Sequence, residues 1–246
     1  MRANTIFSIV AFVVFVVCPF AAIADSKHQV NCKGLPTEIE LKELLIEAGE
    51  LPNAGGLFSG TRMWGAVVNR DGEICAFATS TTDPKDVWPG SQAIAKAKAY
   101  TANAFSLDTL ALSTARLYTF TQPGHSLWSL GQSNLFDPQF LAPTGGQGGG
   151  KNQIVGGLIF FGGGVPLYKD EKIIGGLGVS GDTSCTDHEI AKRVRDLAGL
   201  NPPGGALVDD ITYSSVDGAS VFTHPLCVNT FRNGTSIGTE PPAAGY

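Results

Sequence analysis

Two hydrophobic periodicities divide this chain. Leu41, Leu44, Leu45 and Ala48 recur at helical spacing, which predicts an amphipathic helix from Thr37 to Gly49. Thr37 and Glu40 form a capping-box pair just after Pro36. Residues 50–61 read as a Gly/Asn/Pro-rich loop. Two hairpins follow, far apart in sequence. In the first, Met63 to Thr79, the strands MWGAVVN and EICAFAT flank Arg70-Asp71-Gly72, and an Asp-Gly turn between apolar runs is a hairpin signal. In the second, Gly164 to Gly178, GVPLY and KIIGGLGV flank Lys169-Asp170-Glu171. Such continuous apolar runs predict a sheet covered on at least one face. Between the hairpins a small-residue helix is predicted from Ser91 to Phe105, with Ala93, Ile94, Ala97, Thr101, Ala104 and Phe105 inward. An alanine-rich stripe of this kind allows close packing on a neighbour. A short helix is expected after Asp108, to about Tyr118. The last helix, Asp187 to Ala198, carries a stripe of Ile190, Ala191, Val194, Leu197 and Ala198, with Gly199 as its stop signal. One further strand, Ala206 to Tyr213, is expected in a loop-rich C-terminal extension, 200–246, whose final GTEPPAAGY reads as a frayed tail.

The chain ends and the composition set the context. Arg2, the nearly unbroken apolar run Ile6 to Phe20 and Ala22-Ile23-Ala24 form a signal-peptide pattern, so residues 1–24 are expected to be removed on export. The run is short for a membrane span. The mature chain is expected to be secreted or periplasmic, with one domain over 25–246 and a long loop at 121–157. Net charge is −5 for the whole sequence, and no basic patch is present, so nucleic acid and anionic membrane are not expected partners. Of five cysteines, Cys18 leaves with the leader. Cys32, Cys75, Cys185 and Cys227 remain, and an even number in an oxidising compartment predicts two disulfides. Three pairings are possible; Cys32–Cys227 with Cys75–Cys185 is the preferred one.

The stretch GGLGVSGDTSCTDHEIAKRV, Gly175 to Val194, concentrates candidate chemistry. It lacks the Gly-Lys-Ser/Thr ending of a phosphate loop. Around Ser180 it lacks the last glycine of a nucleophile elbow. Cys185 and His188 form a C-x-x-H, which needs two further ligands to hold a metal, and an oxidised Cys185 cannot coordinate as a thiolate. The favoured reading is structural: a glycine-thinned strand, a tight turn and a helix capped by Thr186 with Glu189. On that helix Asp187 is placed inward and His188 on the opposite, exposed side.

Four motifs in order, VVNRDG (67–72), AIAKAKAYTANAF (93–105), FGGGVPL (161–167) and IIGGLGVSGDTSCTDHEIA (173–191), resemble the GlcG/HbpS family, and the longer chain resembles its exported branch. The resemblance implies a profilin-like α+β fold, an antiparallel sheet of about five strands with helices on its faces. It also implies homo-oligomers and non-covalent binding of haem or a related tetrapyrrole. No C-x-x-C-H is present, so covalent c-type attachment is excluded. Among possible axial ligands, Met63 sits in a strand and reads as core, His28 is near the new N-terminus, and His224 in THPLC reads as structural. His125 in QPGHSLWSL, near Tyr118 and Trp128, is the candidate haem-iron ligand, because aromatics around an imidazole suit a flat apolar ligand. The leading expectation is a haem carrier, scavenger or sensor accessory. A haem-degrading or other small-molecule enzyme on the same fold, and an assembly protein without ligand, are the alternatives.

Overall fold

In the computed structural model, which describes residues 30–136 and 156–243, the two hairpins interlock. The leader, His28, Phe140 with most of the long loop, and the last three tail residues lie outside the described residues. Strands β1 (Trp64–Asn69) and β2 (Ile74–Thr79) join β3 (Gly164–Lys169) and β4 (Lys172–Ser180) in one antiparallel sheet of order β2-β1-β4-β3. β1 and β4 are the central pair, with Trp64 opposite Ser180 and Asn69 opposite Gly175. The second hairpin turns on two residues, Asp170 and Glu171, both at positive φ (50° and 61°), and Lys169 pairs with Lys172. That is the turn geometry whose twist matches flanking strands. The α+β architecture is as expected, but the main sheet has four strands. A separate two-stranded sheet, β5 (Thr230–Arg232) and β6 (Thr235–Gly238), forms in the C-terminal extension.

Helices cover both faces of the main sheet. Helix α1 (Glu38–Glu50) begins at the expected cap: Thr37 Oγ1 accepts from Glu40 N, and Thr37 N donates to Glu40 Oε2 at 2.7 Å. Its Leu41 and Leu45 share a core with Val67, Val165, Leu167, Leu177 and Val179 of the sheet and Ile190, Ala191 and Val194 of α4 (Ser184–Leu197). Met63 is buried in this core, as expected. On the other face lies α2 (Ser91–Phe105), with the predicted bounds but rotated from the predicted stripe. Ala97 and Thr101 are buried as expected, whereas Ala104 is exposed and Ala93, Ile94 and Phe105 are half-buried. The face against β4 carries Ala95, Ala99 and Asn103. Gly176 and Gly178 decide this: a Cβ there would stand 2.3 Å from Ala99 O and 2.0 Å from Ala95 O. Without side chains at those positions, the α2 backbone rests directly on the strand.

Other local expectations are corrected. The short helix after Asp108 is instead a pair of 3-10 turns, Thr114–Leu117 and Thr119–Thr121. Helix α4 starts at Ser184, capped by Thr183, whose side chain accepts from Thr186 N; Thr186 and Glu189 therefore lie inside the helix. Leu197 is exposed at its end, while Ala198 packs on the core. No strand forms over Ala206 to Tyr213. The segment instead runs through turns and buries Asp209 and Asp210 as counter-ions to Arg195 and Lys192 of α4.

The disulfides are Cys32–Cys75 and Cys185–Cys227, so both preferred pairings are overturned. Sheet register gives the reason. Ile74 aligns through Val68 with Gly176, whereas Thr79 aligns through Trp64 with Ser180. Cys75 and Cys185 thus lie towards opposite ends of the sheet, and Cys75 meets the incoming chain at Cys32 while Cys185, at the start of α4, meets the returning C-terminal segment. Each closes a loop of 43 or 42 residues, for which loop-closure entropy contributes about 4 kcal/mol.

The close approach of α2 is testable. Gly178→Ala is expected to lower stability by about 1–3 kcal/mol or more, because the clash is with backbone. Gly90→Ala, where a Cβ meets nothing within 4 Å, is expected to leave the urea midpoint unchanged.

Candidate functional site

The glycine-rich stretch resolves into strand, tight turn and helix, and its acidic residues hold that turn. Asp182 accepts from the amides of Leu57 (2.7 Å), Phe58 (2.8 Å) and Gly60 (3.3 Å), fastening the 56–60 loop to the end of β4. Asp187 points inward as expected. Its Oδ1 accepts from Gly181 N (3.0 Å) and Asp182 N (2.9 Å), and its Oδ2 from Lys98 Nζ at 2.7 Å. Lys98 also donates to Val179 O. Both side chains are essentially without solvent, at 0% and 2% exposure. Burial pushes Asp187 up to about 6, against the pull of the Lys98 ammonium; burial likewise lowers Lys98, against Asp187. Sequence reasoning missed Lys98. The predicted inward stripe of α2 was rotated away from the face that Lys98 shares with Ala95 and Ala102.

His188 corrects an expectation: it is buried, at 1% exposure. Its Nε2 lies 3.2 Å from Ile211 N and 3.4 Å from Asp210 Oδ1. Burial acts to raise the Asp210 carboxyl, but His188 and Lys192 outweigh it and hold the group below the usual carboxylate range. Lys192 bridges Asp210 (3.0 Å) and Glu189 (3.2 Å), and Arg195 clamps Asp209 at 2.7 and 2.9 Å. The exposed side assumed for His188 is covered by the C-terminal extension. Asp182 is engaged by loop amides, His188 faces Asp210, and Ser180 is buried in β4.

The three residues of the aromatic loop separate into two environments. His125 is exposed in a turn, its N donating to Gln122 O and its carbonyl accepting from Trp128 N, both at 3.1 Å. Trp128 is 51% exposed. Tyr118 instead turns inward, its ring 5.1 Å from that of His224. His224 is buried beside the Cys185–Cys227 disulfide. Gly162 N donates to its Nε2 at 3.2 Å, and its Nδ1 lies 2.7 Å from Pro225 O. An accepting Nε2 assigns the proton to Nδ1. Burial lowers its pKa to about 4, with the nearby His188 and Lys98 acting in the same direction and the Pro225 carbonyl opposing. His224 is therefore a neutral imidazole at physiological pH.

Two outcomes follow from these geometries. Lys98→Met strands the Asp187 carboxylate and is expected to cost about 3–5 kcal/mol in urea unfolding, with part of the loss recovered in Lys98→Met/Asp187→Asn, which keeps an oxygen for Gly181 N and Asp182 N. For His224, the unfolded chain takes up a proton near pH 6.5 and the folded chain only near 4. Its contribution is therefore present above 6.5 and lost as pH falls to 4, about 3 kcal/mol. Asp187, raised on folding, acts oppositely in much of that window. The difference between the wild type and His224→Gln isolates the histidine: unfolding midpoints measured from pH 7 to 4 are expected to fall less in the variant.

Comparison with known proteins places the fold. A family model described as "Haem degrading protein HbpS-like" matches residues 53–196. No match is found among curated proteins. Among solved structures, the chain is similar to PduOC in a haem complex (22% identity, 66% of this chain and 92% of that one, TM-score 0.47). It is also similar to the Klebsiella pneumoniae protein ORFY (22%, 65% and 83%, TM-score 0.43) and to a double mutant of Streptomyces reticuli HbpS (19%, 76% and 98%, TM-score 0.41). The family match spans more than half of the sequence, from the loop held by Asp182 through the whole sheet to the last turn of α4, and on that match the chain belongs to the HbpS-like family.

Proposed function

We propose that this protein binds haem or a related tetrapyrrole without covalent attachment, as an exported carrier, scavenger or sensor accessory. The observation that carries the reading is the HbpS-like match over residues 53–196. The exposed turn of His125 and Trp128 supports a site at the aromatic loop. His125 supplies an accessible imidazole for the iron, Trp128 an apolar ring for the macrocycle, and Tyr118 the inner wall of that loop against His224. Haem, when bound, supplies an iron centre that accepts such a ligand. Export of a single domain, residues 25–246, is supported by the leader pattern, by two disulfides, and by the finding that no helix among the described residues is long and apolar enough to cross a membrane. Homo-oligomer formation belongs to the same reading. The family description, haem degrading, favours one second reading, in which bound haem is also broken down.

Titration of the mature protein with haemin is expected to give a saturable Soret shift at micromolar haem; no shift rules the proposal out. His125→Ala is expected to weaken binding at least about tenfold, or 1.4 kcal/mol, with an altered spectrum. An unchanged spectrum and affinity would remove His125 as ligand. Addition of ascorbate to the complex separates the two readings: stable absorbance indicates carriage, and loss of the Soret band with formation of an open-chain product indicates degradation.

A further inference from the structure

We propose that Cys185, Cys227 and His224 form a redox-gated site for a zinc-type divalent cation, closed while the two cysteines are disulfide-bonded and opened by reduction. Sequence alone offers only Cys185-Thr-Asp-His188, a half-site. The fold brings two donors from the C-terminal extension, His224-Pro-Leu-Cys227, to the start of α4. One ligand atom each of Cys185, Cys227 and His224 lies within 4.8 Å of the others, and all three residues are buried. Two thiolates and an imidazole are the donor set that suits a tetrahedral d¹⁰ ion. His188, one turn along the helix, stands outside this group, so the fourth position is left to water or another small ligand.

The surroundings are built for those donors. A metal-binding histidine ordinarily donates its second ring N–H to a carbonyl, which orients the ring and leaves the other nitrogen as the ligand. His224 has the carbonyl contact, with Nδ1 2.7 Å from Pro225 O, while its Nε2 accepts from Gly162 N at 3.2 Å, a bond that ligation through Nε2 replaces. Cys227 Sγ lies 3.1 Å from Cys185 N and 3.3 Å from Ser184 Oγ, at the first turn of the 14-residue helix α4. Backbone N–H groups and the positive end of a helix stabilise a thiolate. The other disulfide, Cys32–Cys75, has no comparable histidine in such a group among the described residues.

The chemistry balances with a dithiol reductant. Its two thiols deliver two electrons and two protons to the Cys185–Cys227 bond and become a disulfide, while Cys185 and Cys227 become thiols. Metal binding releases both thiol protons. In a tetrahedral site the two sulfurs stand about 3.7 Å apart at Zn–S distances of about 2.3 Å, so re-forming the S–S bond requires expulsion of the ion. Occupied and oxidised states are mutually exclusive.

Cobalt(II) is the probe. The whole mature protein is reduced with dithiothreitol, desalted anaerobically and titrated, with absorbance and far-UV circular dichroism followed together. One equivalent is expected to bind with thiolate-to-cobalt charge-transfer bands, in reduced protein only. Cys185→Ser/Cys227→Ser, which keeps the Cys32 and Cys75 thiols, is expected to lose the bands. His224→Ala is expected to weaken binding at least tenfold. Three results overturn the proposal: no bands in the reduced wild type, equal bands in the double-serine variant, or the same binding in oxidised protein. If reduction alone unfolds the chain, cobalt must restore both fold and bands; failure to do so is also decisive against it.

Discussion

Helix α4 carries Asp187, His188, Glu189, Lys192 and Arg195, and every one of these side chains is buried. A helix at the surface of a sheet leaves such groups in water. Here one side faces the sheet and α1, and the opposite side is covered by the C-terminal extension. Buried charge is tolerated only when each group finds an opposite charge and further hydrogen bonds, so the extension must deliver carboxylates at fixed places. Asp209 receives the Arg195 fork, and Asp210 is shared by Lys192 and His188. The Cys185–Cys227 bond then pins the same segment to the start of the helix.

A second chain of constraints runs through the sheet to the same helix. Gly176 and Gly178 let α2 settle onto β4, and that closeness places Lys98 with no path to solvent. At Gly163 a Cβ would stand 2.6 Å from Lys98 Nζ and 2.9 Å from Asp187 Cβ. Two glycines of β4 and one just before β3 thus create the space in which one ammonium meets one carboxylate. The pair joins α2, β4 and α4 across the end of the sheet, and Asp182, five residues earlier, ties the 56–60 loop to the same corner.

The family match ends at residue 196, whereas Asp209 and Asp210, the partners of Arg195, Lys192 and His188, lie beyond it, as do His224 and Cys227. The HbpS-like unit in this chain is therefore completed by its own extension, and chemistry accumulates at that junction. The His125–Trp128 turn is exposed at the surface, while His224, Cys185 and Cys227 form an interior cluster. Tyr118, just before the loop, packs its ring on His224.

Local order was legible in the residues themselves. The α1 cap, both hairpins with their turns, and the bounds of α2 follow from short-range spacing, because caps and tight turns are settled within a few residues. Recognition of the family rested on the same local motifs. What those residues could not determine was who meets whom across the fold. The face of α2 was set by glycines some eighty residues away, the disulfide partners by sheet register, and the burial of His188 by a segment read as a strand. These are long-range decisions: periodicity places a side chain on a face, but only the assembled neighbours determine whether that face meets water, a sheet or a counter-charge.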